Sequence, residues 1–172
     1  MRYFLKPVLA SLGIALATVA ATAGHQDFPG TPKLFEGHYW LRVRSGMDGK
    51  FFPAVDTIDI VAKGGGRADF LVDLVFYNGK VCRLAGSARL EGDRLAYRNS
   101  ALRNKEGICA LSFARRLEGL VMIEAPNQVC SAVTCGRRGR YFDTPFKNRR
   151  ALRQSERRRV ATEVADAESY LK

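Results

Sequence analysis

The residues of this chain best suited to chemistry lie in CSAVTCGRRGRYF, from Cys130 to Phe142. Two cysteines separated by four residues are followed by two glycines, three arginines and a tyrosine. Such a cluster can be a redox or metal centre, an anion-binding loop or a stapled turn. A thioredoxin-type redox pair is separated by two residues and opens a helix. Structural zinc sites build knuckles with closely spaced partner ligands. Here Cys82 and Cys109 stand alone, without nearby histidine, so neither metal nor cofactor is expected. A nucleotide loop needs G-x-x-x-x-G-K-[ST], which is absent. Glycine-flanked amides can still form an anion-binding nest, and arginine grips phosphate or carboxylate through paired hydrogen bonds. Arg137, Arg138, Arg140 and Tyr141 are therefore candidates for binding an anion or a partner, against the plainer reading of a solvated turn.

Catalysis has little material. The chain has only two histidines, His25 and His38, and no Ser or Cys can be grouped with them by spacing. Asp56, Asp59, Asp69 and Asp73 alternate with apolar residues and read as solvent-facing charges on strands. No calcium-loop spacing is present. No catalytic residue is assigned and no enzyme is expected, a hydrolase built on His38 and a nearby aspartate being the least favoured class. In HYWLRVR, Tyr39, Leu41 and Val43 share one face, and His38, Trp40, Arg42 and Arg44 the other. Trp and Arg are frequent binding anchors, so Trp40, Arg42 and Arg44 are candidates for partner recognition. Coverage of Trp40 by a C-terminal helix is the equal alternative.

The elements that must position these residues begin after residue 23. Arg2 and Lys6, the apolar run VLASLGIALATVA and Ala21-Thr22-Ala23 have the order of a secretory signal peptide. The mature chain is expected to start at Gly24, periplasmic or secreted. There, four cysteines read as disulfides, with three possible pairings. Cys82 and Cys109 share inward parity on their strands, which favours bonding them together and closing CSAVTC through Cys130 and Cys135.

The formal net charge of +11 is uneven: residues 24–136 carry +3, residues 137–159 carry +8 and residues 160–172 carry −2. Between turns the chain reads as short strands. DTIDIVA, ADFLVDLVFY, KVCRLAGSARL, RLAYRN, ICALSF and LVMIEA alternate at the period of a sheet. SGMDGKFFPAV reads as a loop, GGG at 64–66 as a break, and Asn78-Gly79 as a hairpin turn. Such strands without interleaved helices indicate an antiparallel sandwich or barrel. From residue 144 the chain favours helix, with a modest apolar stripe through Leu152, Val160 and Val164. Its arginines crowd the N-terminal half, against the helix macrodipole, so this helix needs a docking surface or an acidic partner.

With Cys82, Cys109 and Cys130-x4-Cys135-Gly136-x-Arg138-Gly139-x-Tyr141 in view, the chain resembles small exported proteobacterial β proteins that end in such a segment. The resemblance covers roughly residues 36–142, implies a one-domain β fold and carries no activity. In size, export, disulfides and β architecture alone the chain is also similar to periplasmic lysozyme inhibitors, whose Ser-Gly-x-x-Tyr stretch it lacks. A basic lysozyme would moreover repel a basic partner at long range.

The expected organisation is a signal peptide at 1–23, a flexible segment at 24–34, a β domain at 35–143 and an Arg-rich helix at 144–172. The fold expected is one antiparallel barrel or sandwich of seven or eight strands with a C-terminal helix. The function expected is a non-enzymatic exported or envelope-associated protein with a cationic surface. It would bind an acidic envelope component, an acidic protein or a membrane surface, and export argues against nucleic acid. The alternative is an inhibitor or immunity-type protein that blocks an envelope or secreted enzyme such as a lysozyme.

Overall fold

The structure, a computed structural model, describes residues 31–47, 49–76, 80–127, 129–136 and 145–170. The expected signal peptide, the expected Asn78-Gly79 hairpin turn and Arg137, Arg138, Arg140 and Tyr141 lie outside them. Seven strands follow one another as antiparallel neighbours: β1 (Gly37–Met47), β2 (Lys50–Ala62), β3 (Arg67–Val75), β4 (Val81–Glu91), β5 (Arg94–Asn104), β6 (Gly107–Arg116) and β7 (Gly119–Glu124). A short helix, α1 (Val129–Thr134), comes next, then β8 (Asn148–Arg150), which pairs with the outer edge of β1, and α2 (Gln154–Ser169). Just before β8, Phe146 exchanges backbone hydrogen bonds with Leu120 of β7 at 2.8 and 3.3 Å. The two edges of the sheet are thereby brought together in a nearly closed antiparallel barrel, which removes most of its exposed strand edge.

Alternation builds the core. Phe70, Val72 and Leu74 of β3, Cys82 and Leu84 of β4, and Leu111 and Phe113 of β6 all point inward and are buried. Phe70 packs edge-on to Tyr97 and tilted to Phe113, each with ring centroids 5.0 Å apart. β4 and β5 pair only from Arg89↔Ala96 to Glu91↔Arg94 and then diverge. Where they diverge, the Tyr97 ring lies against Gly86, and a Cβ there would stand 2.5 Å from the ring. Residues 31–34, part of the segment expected to be flexible, include a 3-10 turn at Pro32–Leu34 that leads Phe35 into the core.

Four expectations need correction. SGMDGKFFPAV is not a loop. β1 runs to Met47, β2 starts at Lys50, and the two-residue connection places Gly49 at φ +78°. The C-terminal helix does not start at 144. The unpaired edge of β1 takes residues 148–150 as a strand, and α2 starts at Gln154, where the Arg153 N–H donates to Glu156 Oε2 at 2.7 Å.

Asp56, Asp59 and Asp69 are buried rather than solvent-facing. α2 lies across β2, β3 and β4, so the outer face of those strands is a second interior, where Leu71 and Ala85 pack on Val160 and Val164. Asp56 points inward and accepts the Val75 N–H at 2.7 Å, beyond the last pair of the β2–β3 ladder.

The disulfides are Cys82–Cys135 and Cys109–Cys130, not the pairing favoured by parity. Cys82 and Cys109 are on β4 and β6, and β5 intervenes. Strands two apart are about 9–10 Å from each other, beyond the reach of a disulfide. CSAVTC is largely helix, and five residues advance a helix by about 7.5 Å. α1 packs on β4, β5 and β6 and hands one cysteine to each outer strand of the three. The bridged Cα atoms stand 4.9 and 4.4 Å apart.

Candidate binding surface

The cationic segment divides once its partners are known. Arg157 donates to Glu36 Oε1 at 2.8 Å, and Arg159 pairs with Asp73. Arg83 of β4 binds Asp73 at 2.6 Å and Glu163 at 2.9 Å. Arg150 forks onto both oxygens of Glu156, with one bond of 2.8 Å. Arg149 donates to the Glu36 carbonyl at 2.7 Å and lies over the Tyr39 ring, 5.6 Å from its centroid. The arrangement that opposes an isolated helix therefore suits a docked one, because Glu36, just before β1, receives Arg157 and Asp73 of β3 receives Arg159. Arg157, with help from Lys33 and the Ala62 N–H, holds the Glu36 carboxyl at about 2 against the opposing effect of burial. Arg150 and the Arg153 N–H do the same for Glu156, also at about 2.

His38 sits at the edge of this clamp. Its Nδ1 donates to Asp59 Oδ1 at 2.6 Å and stands 3.9 Å from Glu156 Oε1. Burial pushes the Asp59 carboxyl up, with the His38 hydrogen bond opposing it. The imidazole stacks on Trp40, centroids 5.6 Å apart. Trp40 is half-buried, and its carbonyl accepts from Asn148 at 3.2 Å. The pairing of His38 with an aspartate is present, but among the described residues no Ser, Thr or Cys is hydrogen-bonded to His38. Among the described residues no group of three or more His, Cys, Asp and Glu is placed to hold a metal ion.

The β1–β2 ribbon is different. β8 reaches β1 only at residues 38–40, and β3 reaches β2 only from Thr57 onward. Among the described strands, residues 41–47 and 50–56 therefore extend as a pair with no third strand beside them. The root is pinned by Asp56 on the Val75 N–H and by Ser45 Oγ donating to the Phe76 carbonyl at 2.6 Å. Cross-strand neighbours share a face, so Arg42↔Val55, Arg44↔Pro53 and Gly46↔Phe51 continue the outer face begun by Trp40↔Thr57. Arg42 and Arg44 are exposed and have no ion-pair or hydrogen-bond partner among the described residues. Phe51 is 69% and Val55 46% exposed. In a hairpin with a two-residue turn, Arg44↔Pro53 is a non-hydrogen-bonded pair, whose N–H groups point outward from the ribbon. Pro53 has no such N–H, so that flank is poorly suited to adding a strand. The outer side-chain face is where the ribbon presents its exposed cations and apolar groups.

Of the candidates read from the sequence, Trp40, Arg42 and Arg44 come together on this face. The four cysteines form the two bridges that hold α1. Phe51, Pro53 and Val55 belong to the same surface, although the composition of SGMDGKFFPAV predicts a loop. The signal that could have placed them is Asp48-Gly49, a hairpin dipeptide flanked by alternating apolar residues. Comparison with known proteins finds no matching family model, no matching curated protein and no matching solved structure.

Proposed function

We propose that this is an exported, non-enzymatic binding protein that engages an acidic partner through the outer face of the β1–β2 ribbon. The observation that carries the reading is the contrast between arginines. Those of the C-terminal segment at 150, 157 and 159 are paired with carboxylates, whereas Arg42 and Arg44 are exposed and unpaired beside exposed Phe51 and Val55. Two buried disulfides suit an oxidising compartment, and the signal-like start favours the periplasm or the exterior. The resemblance to small exported β proteins agrees with this placement. Arg137, Arg138, Arg140 and Tyr141 are a second contact in the proposal.

The test is capture from an envelope extract at low and high salt, with wild type beside Arg42→Glu/Arg44→Glu. Wild type should retain acidic material that salt releases, and the variant should not. Equal retention by both proteins refutes the reading. Inhibition of an envelope or secreted enzyme is the second reading, favoured by Phe51 on a projecting ribbon. It requires loss of inhibition in Phe51→Ala with the fold intact.

A further inference from the structure

We infer that the acidic partner is an anionic lipid bilayer, with the β1–β2 ribbon as an interfacial anchor; this rests on the reading of the ribbon given above. The size of the surface comes first. Seven residues of strand span about 23 Å, and two strands lie about 5 Å apart. The outer face is thus on the order of a few hundred Å², well short of the roughly 800 Å² that each partner contributes to a standard protein interface. An interfacial anchor needs no such area, only a few apolar side chains at the acyl boundary and cations among the headgroups.

The ribbon has that composition and order. Phe51 and Val55 are exposed, and Arg42, Arg44 and the exposed Lys50 flank them. Guanidinium forks match phosphate oxygens. Among the described residues no carboxylate occupies this face beyond Trp40 and Thr57, and Asp73, beside Thr57 at the root, is held by Arg83 and Arg159. Asp56 points inward to the Val75 N–H, and Asp59 is held by His38. Pro53 disfavours a strand partner on the β2 flank, and the exposed apolar and cationic side chains lie on the face.

Depth is limited by the backbone. Among the described residues no strand pairs with either flank of the ribbon beyond Trp40 and Thr57, and unpaired amides are not tolerated in hydrocarbon. The ribbon must therefore rest at headgroup level. Among the described residues no helix is long and apolar enough to cross a membrane.

The test uses the oxidised mature protein and sedimentation with two sets of vesicles: phosphatidylglycerol with phosphatidylethanolamine, and phosphatidylcholine alone. A basic residue near an anionic leaflet is worth about fivefold in affinity. Arg42→Gln/Arg44→Gln should therefore weaken binding to the anionic vesicles roughly 25-fold, while Arg42→Lys/Arg44→Lys retains most of it. Phe51→Trp in a Trp40→Phe background should give blue-shifted emission on the anionic vesicles and none on phosphatidylcholine. Equal binding to both vesicles, an unshifted emission, or indifference to the two glutamines overturns the inference. If vesicles are not bound but the same arginines still govern salt-sensitive capture from extract, the lipid fails and the acidic-partner reading stands. If capture is lost as well, both fail.

Discussion

Removing the outer disulfide should destabilise the protein by an amount that the loop lengths set. Cys82–Cys135 spans 53 residues and Cys109–Cys130 spans 21, the second nested inside the first. With the inner bridge closed, the outer one still constrains an effective loop of roughly 30 residues, worth about 3.5–4 kcal/mol in chain entropy; the inner one is worth about 3 kcal/mol. Cys82→Ala/Cys135→Ala should thus lower the thermal midpoint by roughly 10 °C, at about 3 °C per kcal/mol for a chain of this size. Cys109→Ala/Cys130→Ala should do slightly less. Scanning calorimetry on oxidised protein reads both shifts, and peptide mapping without reductant reads the connectivity. The decisive variant is Cys82→Ala/Cys109→Ala, which leaves Cys130 and Cys135 without their partners. Their separation along α1 should keep both thiols titratable. A 130–135 bridge in that variant, or midpoint shifts under about 3 °C in the other two, would refute the account of α1 as a doubly stapled plug.

Three further outcomes follow from the packing and the charges. Val160→Ala opens space against Leu71 and Ala85 and should cost about 2 kcal/mol; an unchanged urea midpoint would mean that α2 contributes nothing to the fold. Gly86→Ala drives a methyl into the Tyr97 ring and should cost about 1–3 kcal/mol. Tyr97→Leu should relieve part of that cost, and strict additivity in the double-mutant cycle would contradict the contact. Glu36 and Glu156 have folded pKa values of about 2, below the ordinary 4.5, so their contribution is present above 4.5 and is lost as pH falls towards 2. Asp56 and Asp59, raised by burial, act with the opposite sign, since their protonation favours the folded state. Glu36→Gln/Glu156→Gln should lower stability at neutral pH and flatten its acid dependence, and an acid limb as steep as that of wild type would exclude this pair as its source.

Much of the inner face was legible because a sheet has a period of two. Phe70, Val72, Leu74, Cys82, Leu84, Leu111 and Phe113 declare one side of their strands without reference to neighbours. Half of the ribbon surface was legible in the same way, since Trp40, Arg42 and Arg44 alternate with Tyr39, Leu41 and Val43. Its other half was hidden by Gly46, Gly49 and Pro53, which are loop residues by composition but here belong to a tight turn and a ribbon flank.

The sequence by itself determined the class of fold, the inward parity of the cysteines and the need of the C-terminal helix for a docking surface. Each follows from local alternation or from charge order along one segment. Only the tertiary structure decided which cysteines meet, because pairing depends on β5 lying between β4 and β6 and on α1 crossing all three. It also decided which arginines remain available. Parity assigns Asp59, Asp69 and Asp73 to an outer face, but α2 turns that face into an interior, where Asp73 takes Arg159, Asp59 takes His38 and Asp69 takes Lys63, while Arg42 and Arg44 lie on the ribbon beyond it.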